Sequence, residues 1–252
     1  MSTSHVKFLH PPIVEAVLDV DCDMSPAFDL AAVEKPLRET FRDQYPRFRA
    51  LFLEEAHLEQ KVDQPVQVSA QRKLQAFQFF KEDEKQLIQV RVQGFTFNRL
   101  APYTSLDDYL SEIKRAWDIF ASIASPIQIR AVRLRYINRI VLPLTDGRVN
   151  CEDYLKVGPS LPDEDGLRLA SFLNQYTAVN METGDHVNSV LASQPPESNG
   201  LPIILDICVT SGATAEPTNW DWLVEKMQSL RHLKNRLFHN TLTEQCLNLF
   251  QH

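Results

Sequence analysis

The sequence predicts an α+β protein. We expect an antiparallel sheet built from two pseudo-repeated β-α-βββ-α halves, with the long helices packed on one face. Three observations predict this class. Runs of alternating apolar and polar residues recur, and two long segments carry apolar residues at helical spacing. The same order of strands and helices also occurs twice along the chain. The halves, residues 1–125 and 126–252, lack evident sequence identity and are expected to form one continuous structural unit.

The first half opens with a strand over residues 13–21, after two prolines. Apolar residues occupy alternate positions of this strand, and Glu15, Asp19 and Asp21 fall on its other face. A helix follows, either from Ser25 with a kink at Pro36 or from about residue 35. Three strands are predicted next, at 66–71, 74–80 and 86–97.

A second helix is predicted to begin after Ser105, a favourable N-cap residue, and to run to about residue 124. Apolar residues recur along it at helical spacing, which indicates one buried face. They are Leu106, Tyr109, Ile113, Trp117, Phe120 and Ala124.

The second half opens with the most informative segment of the chain, a single long strand over Gln128–Leu142. One face carries apolar side chains, and the other carries Arg133, Arg135 and Arg139. The length of this strand predicts a bulge or bend within it.

The remaining elements of the second half follow an irregular segment over residues 143–166. Strands are predicted at 168–181, 187–193 and 203–210. A long helix capped by Thr218 comes next, and a short helix over 242–250 closes the chain. The residues of the long helix predicted to face the core are Leu223, Met227, Leu230, Leu233 and Leu237.

Composition excludes several classes of function. The formal net charge is −7 and the pI is about 5.5, which argues against a protein whose main role is to grip a nucleic-acid backbone. The four cysteines are far apart, no signal peptide is evident, and no apolar run approaches the roughly 20 residues of a membrane span. We expect a reduced, cytoplasmic protein without membrane contact.

Motifs for catalysis are missing from the sequence. It contains no GxSxG, no HExxH, no metal-ligand spacing of Cys and His, and no GxxxxGK[ST] or GxGxxG. Seven glycines in 252 residues leave little room for a phosphate-cradling loop. We therefore expect no catalytic residue, no cofactor and no metal, and lean towards a non-enzymatic protein.

Two interpretations of the arginine stripe remain open. Arg133, Arg135 and Arg139, with Arg91, could form an anion site for phosphate, nucleotide or an acidic partner surface. Alternatively they pair with carboxylates inside the fold, either on strand 13–21 or in segment 143–219, which holds eleven acidic residues against three basic ones. We favour internal pairing.

Aromatic residues provide the other candidate contacts. Trp220 and Trp222 open the last long helix two positions apart, so one of them should face outward, and Trp220 is a candidate for protein contact. Phenylalanines near Arg91 suit either base stacking or core packing, and we favour core packing. They are Phe77, Phe79, Phe80, Phe95 and Phe97.

Three segments together carry a family resemblance: residues 11–17 (PPIVEAV), 134–140 (LRYINRI) and 237–244 (LFHNTLTE). In this order they resemble an uncharacterised, sporadically distributed bacterial family of about this length. The resemblance implies no activity and carries over no catalytic residue. The patchy distribution of that family implies genes on mobile or defence-related islands.

We therefore predict a non-enzymatic binding or accessory protein that acts through a protein partner or as a homo-oligomer, using the arginine stripe or the Trp220 region. The alternative is a nucleotide- or nucleic-acid-binding module on Arg133, Arg135 and Arg139. The third possibility is an enzyme of unrecognised type, with the arginine strand as a phosphate clamp.

Overall fold

The computed structural model of the chain describes residues 8–59, 67–144, 148–159 and 169–251. Over these ranges the chain forms nine strands in one antiparallel sheet and four α-helices. The strands are β1 (Ile13–Asp23), β2 (Arg47–Glu59), β3 (Gln67–Phe80), β4 (Gln86–Arg91), β5 (Gly94–Leu100), β6 (Gln128–Leu142), β7 (Leu173–Val179), β8 (His186–Ser193) and β9 (Leu201–Ser211). The helices are α1 (Glu34–Phe41), α2 (Leu106–Ala124), α3 (Trp220–Thr241) and α4 (Glu244–Asn248), with 3-10 turns at Ala31–Val33 and Cys151–Asp153.

The strand order is β2-β3-β4-β5-β1-β6-β9-β8-β7, and every neighbouring pair is antiparallel. The two strands at the centre, β1 and β6, come from the two predicted halves and join them in one sheet. One cluster of buried apolar residues likewise draws on both halves. The edges of the sheet are β2 and β7, at opposite ends.

Strand β6 has the predicted bounds and faces. Val132, Leu134 and Tyr136 are buried, whereas Arg135 is exposed between them. The predicted bulge lies near its start: Asp21 pairs with Ala131 but Cys22 pairs with Ile129, which leaves Arg130 as an extra residue. The bulge explains why Ile129 and Val132 are both buried although they are three positions apart.

The strands between α1 and α2 differ from the prediction. The predicted strands 66–71 and 74–80 form a single strand, β3, and the predicted strand 86–97 is divided into β4 and β5. Gly94 causes the division, because its φ is +147° and an added Cβ would lie 2.1 Å from the carbonyl oxygen of Val20. Strand β2 was missed altogether. Residues 66, 145–147 and 160–168, which belong to other predicted segments, lie outside the described residues.

The helix ends follow ordinary capping chemistry. The Ser105 hydroxyl accepts a hydrogen bond from the Asp107 amide at 3.2 Å, which confirms the predicted cap of α2. Helix α1 begins at Glu34, so that Pro36 falls in its first turn, where proline is tolerated. The cap of α3 is Asn219 rather than Thr218: the Asn219 side chain accepts from the Trp222 amide at 3.1 Å.

The buried face of α3 differs from the predicted one in its second half. Leu223, Met227 and Leu230 are buried as expected, but the next two fully buried positions are Lys234 and Phe238. The predicted Leu233 and Leu237 are only half-buried. The buried residues are spaced by four, three, four and four positions, so that they lie on one side of the helix and face the sheet. One residue on this buried side is a lysine.

Candidate functional site

The predicted site residues Arg91, Arg133, Arg135 and Arg139 lie on the sheet face opposite Leu134 and Tyr136, and we call this set the arginine face. Its centre is an ion-pair network. The two terminal nitrogens of Arg133 lie 3.3 Å from carboxylate oxygens of Asp19 and Asp21 on the neighbouring strand β1. Arg91 binds the other oxygen of Asp21 at 2.8 Å. The two carboxylates therefore link arginines of β4 and β6.

The outer arginines pair towards the other edge of the sheet. Arg135 makes a bidentate contact with Asp206 of β9, with nitrogen–oxygen distances of 3.0 and 2.6 Å. Arg139 donates to the carboxylate of Glu197, in the turn before β9. All four guanidiniums thus have a carboxylate partner, which confirms the predicted internal pairing. Both predicted sources of acid, strand β1 and segment 143–219, contribute.

The electrostatics of the arginine face favour its present pairing. Burial by itself lowers the pKa of Arg133, but the carboxylates of Asp21 and Asp19 outweigh it and raise the pKa above the usual value. The hydrogen bonds to Asp206 raise the pKa of Arg135. Any anion binding here would compete with a bonded carboxylate. An anion site on the arginine face therefore remains a prediction that no observation favours.

The aromatic side chains near Arg91 are buried. Phe77, Phe79, Phe95 and Phe97 belong to the hydrophobic core, and the ring of Phe80 is covered by the Arg49 guanidinium at 4.6 Å. None of these five rings can stack on a base as the fold stands. This matches the core-packing interpretation.

The two tryptophans at the start of α3 are both half-buried, so neither faces outward as the two-residue spacing suggested. The Trp220 ring lies 5.7 Å from the ammonium of Lys114, and the Trp222 ring lies 5.9 Å from that of Lys226. Both rings also pack against the core cluster. Trp220 as a protein contact remains a prediction.

A projecting β-hairpin is the feature that the sequence reasoning missed. Strand β3 pairs with β4 only over its last five residues, from Ala76 to Phe80. Residues 52–59 of β2 and 67–74 of β3 pair with each other beyond that point, and we call them the hairpin arm. Leu51, opposite Ala76, lies at the base of this arm. Eight residues of extended chain reach about 26 Å. The outer edge of β2 has no strand neighbour in the described chain.

The base of the hairpin arm exposes consecutive apolar side chains. Leu51, Phe52 and Leu53 are 46%, 38% and 44% exposed. The Arg72 guanidinium lies 3.9 Å above the Phe52 ring, which gives that ring partial cover. Leu51 and Leu53 point to the same face, because side chains alternate along a strand, and they remain open to solvent.

The described ranges contain neither a candidate metal site nor a candidate membrane-spanning helix. No group of three His, Cys, Asp or Glu residues there is placed to hold a metal ion. None of the helices described is both long and apolar enough to cross a membrane. The four cysteines are free thiols.

Comparison with known proteins adds no identification: neither a protein-family model nor a curated protein matches this chain. The family resemblance of segments 11–17, 134–140 and 237–244 therefore remains a prediction.

Proposed function

We propose that this protein acts by binding a protein partner, without catalysis, and that the partner adds an extended segment to the free edge of β2 in the hairpin arm. The observation that carries the proposal is the arm itself: a two-stranded ribbon that leaves the body of the sheet and exposes Leu51 and Leu53 at its base. Such a surface offers both backbone and apolar contacts.

The physical argument begins with the stability of the arm. A two-stranded hairpin without a third strand is marginally stable in water. An edge strand also presents unpaired N–H and C=O groups, and an added strand would satisfy them. In recognition by strand addition, backbone hydrogen bonds supply affinity and side-chain contacts supply specificity. Leu51 and Leu53 provide such contacts on one face.

The charges flanking the apolar patch define the partner more closely. Arg47 and Arg49, before the patch, are bound by Glu82 and Glu84 of the β3–β4 connection. Glu54, after the patch, has among the described residues one exposed ion pair, a contact of 3.7 Å with Arg72. A partner strand with apolar residues at its centre and a basic residue opposite Glu54 would therefore fit best.

The alternative functions and the alternative occupant of the arm have less support. The nucleotide-binding alternative needs free guanidiniums, and those of the arginine face are paired. A second copy of the chain could occupy the arm instead of a different protein. The oligomeric state of the purified chain distinguishes these two occupants. The bacterial defence context implied by the resemblance and the cytoplasmic location remain predictions.

We also propose that the two halves are structural repeats with the long helices on one face. The strand order outward from the centre supports the repeat: it begins with the first strand of each half, then the last, then the one before it. Helix α2 contacts β5, and α3 contacts β6 and β9. The halves differ in strand number, because four strands (β2 to β5) lie between α1 and α2, whereas three (β7 to β9) lie between the 3-10 turn at Cys151–Asp153 and α3.

The test of the binding proposal uses the full-length chain co-expressed with each product of its adjacent genes. Leu51→Lys combined with Leu53→Lys places two charges on the exposed face of β2. Leu173→Lys on β7, where the leucine is 68% exposed, is the matched control on the opposite edge. We expect one product to co-purify in a fixed ratio with wild type and control, and at least tenfold less with the double variant.

Light scattering of the purified chain separates the two occupants. A dimer that the double variant dissociates would assign the arm to a second copy. Equal co-purification with wild type and the double variant would contradict the proposal, as would the absence of any bound product and of any dimer.

A further inference from the structure

A cavity of about 420 Å³ lies on the core side of the sheet, away from the hairpin arm. It is half open to solvent and is bordered by the second half of α3, the first turn of α2, the start of β1 and the middle of β6. Aromatic and apolar side chains, among them Tyr103, Leu106, Tyr136 and Phe238, form much of its wall. Its volume is in the range of natural small-molecule sites.

The unusual group in this cavity is Lys234. Its side chain is on the buried face of α3, and the residue is only 7% exposed. The ammonium nitrogen lies 3.9 Å from the centre of the Tyr136 ring. Among the described residues no carboxylate or hydrogen-bond acceptor partners it. A cation–π contact contributes about 2 kcal/mol, whereas the desolvation of a buried ion costs several kcal/mol.

The neighbouring charges do not balance Lys234. The Asp107 carboxylate is held by Arg231 at 2.7 Å and by Gln228 at 2.8 Å, and the hydrogen bond from Arg231 lowers its pKa. Asp108 is exposed and makes no ion pair with Lys234. The His239 imidazole also lines the cavity.

Two tyrosines with buried hydroxyls also line the cavity. Tyr103 and Tyr136 share a hydrogen bond of 3.0 Å between their hydroxyl oxygens. Burial raises the pKa of both phenols above the usual value, so they remain neutral. Desolvation, with a contribution from Arg231, lowers the pKa of Lys234 to about 7. Of the described residues that line the cavity, Lys234 is therefore a cation without a counter-charge.

We propose that this cavity binds a small organic monocarboxylate, whose carboxylate pairs with Lys234 and whose apolar body packs against Tyr103 and Phe238. One unmatched cation calls for one negative charge, whereas a phosphate monoester carries about −1.5 to −2. The first turn of the 19-residue helix α2 lines the same space, and its dipole adds a favourable field for an anion. This site is independent of the binding function proposed for the hairpin arm.

The first test is a thermal-shift and calorimetric titration of the full chain with benzoate and hexanoate. Benzamide serves as the neutral isostere of benzoate, and inorganic phosphate as the small oxyanion. Lys234→Met removes the charge at similar volume. Lys226→Met is the matched control, because Lys226 lies on the same helix with its ammonium 5.9 Å from the Trp222 ring.

We expect at least one carboxylate to raise the Tm of wild type and K226M equally, and to bind K234M at least tenfold more weakly. Benzamide and phosphate should bind at least tenfold more weakly than that carboxylate. The proposal is overturned if neither carboxylate binds, if K234M binds as tightly as wild type, or if benzamide or phosphate matches the carboxylate.

The second test measures how affinity depends on pH and how many protons are taken up on binding. It needs no variant at Lys234, so it can be carried out even if K234M does not fold. Carboxylate binding requires the ammonium form, so affinity should fall about tenfold per pH unit above pH 7, with uptake of about one proton at pH 8. His239→Gln is the control for the imidazole that also lines the cavity and should keep this profile. Binding without proton uptake, or uptake lost in H239Q, would overturn the assignment to Lys234.

Discussion

The two faces of β6 hold positive charge in opposite ways. On one face Arg133, Arg135 and Arg139 each meet a carboxylate of a neighbouring strand or turn. On the other face the Lys234 ammonium lies 3.9 Å from the centre of the Tyr136 ring and has no carboxylate partner in the described chain. A paired cation on a sheet is explained by the fold alone. An unpaired one in a cavity is not, and this difference identifies the second face as the ligand site.

The two faces of β6 also differ in what their cations contribute to the free energy of unfolding. An ion pair with solvent access contributes about 0–1 kcal/mol, and the arginine face has several of them in a network. An unpaired buried ammonium lowers stability instead, because it loses hydration without gaining a counter-ion. Ionisable groups in that condition cluster at functional sites. Substitutions on each face can break or sharpen the contrast.

The largest effect is expected from Lys234→Met and should depend on pH. The folded-state pKa of Lys234 is about 7 and the ordinary value is 10.5, so the unfolded chain binds more protons between these pH values. The stability of wild type therefore rises with pH across this window, by about 1.4 kcal/mol per unit at most. K234M lacks this slope.

K234M should accordingly be more stable than wild type below pH 7, by on the order of 3–5 kcal/mol, and the two should converge near pH 10.5. Urea unfolding at pH 6, 8 and 10 measures the difference, with K226M expected to follow wild type throughout. A difference that does not change with pH would show that Lys234 is ordinarily solvated.

A smaller effect is expected on the arginine face. Arg133→Met leaves Arg91 as the remaining cationic partner of the partly buried carboxylates of Asp19 and Asp21, and should cost about 2 kcal/mol of unfolding free energy. Arg130→Met on the same strand is the control: its contact with Asp23 is 3.9 Å long and half-exposed, so the cost should stay below about 0.5 kcal/mol. Equal costs in chemical denaturation would remove the distinction between network and surface pairs.

The smallest effect concerns the hydroxyl pair beside the cavity. Tyr103→Phe leaves the buried Tyr136 hydroxyl without its partner and should cost about 1 kcal/mol, as should Tyr136→Phe. The double variant removes both polar groups and should cost less than the sum of the two single changes. Additive costs in this double-mutant cycle would mean that the two hydroxyls do not stabilise each other.

The sequence predicts β6 well because its alternation is strong on both faces. The same alternation in residues 13–21 placed acids on a strand that could lie beside it, and the structure puts Asp19 and Asp21 there. Pairing across a sheet follows from local pattern once two strands are neighbours. That part of the arginine face could therefore be predicted.

The cavity could not be found the same way, because a lysine was not expected at a core position. The leucines at 233 and 237 looked like the continuation of the buried face of α3. The spacing from Leu223 through Met227 and Leu230 also leads to Lys234, and this was the available signal. In the folded chain the helix places Lys234 against Tyr136 and leaves Leu233 and Leu237 half-buried.

The hairpin arm was missed for a related reason. Strand β2 leaves the body of the sheet, so most of its length has no buried face to impose alternation. Residues 47–50 alternate polar and apolar, but the run from Leu51 to Leu53 and the two acids after it break the period of two. The pairing of β2 with β3 comes from the hairpin partner, which a pattern within β2 cannot reveal.

The most direct measurement is the NMR titration of the Lys234 ammonium in wild type, assigned by the signal that K234M lacks. We predict a pKa near 7 for Lys234 in the free protein and a clearly higher value with the carboxylate bound, because the anion supplies the missing counter-charge. A pKa near 10.5 in the free protein, unchanged by carboxylate, would contradict the contrast between the two faces of β6.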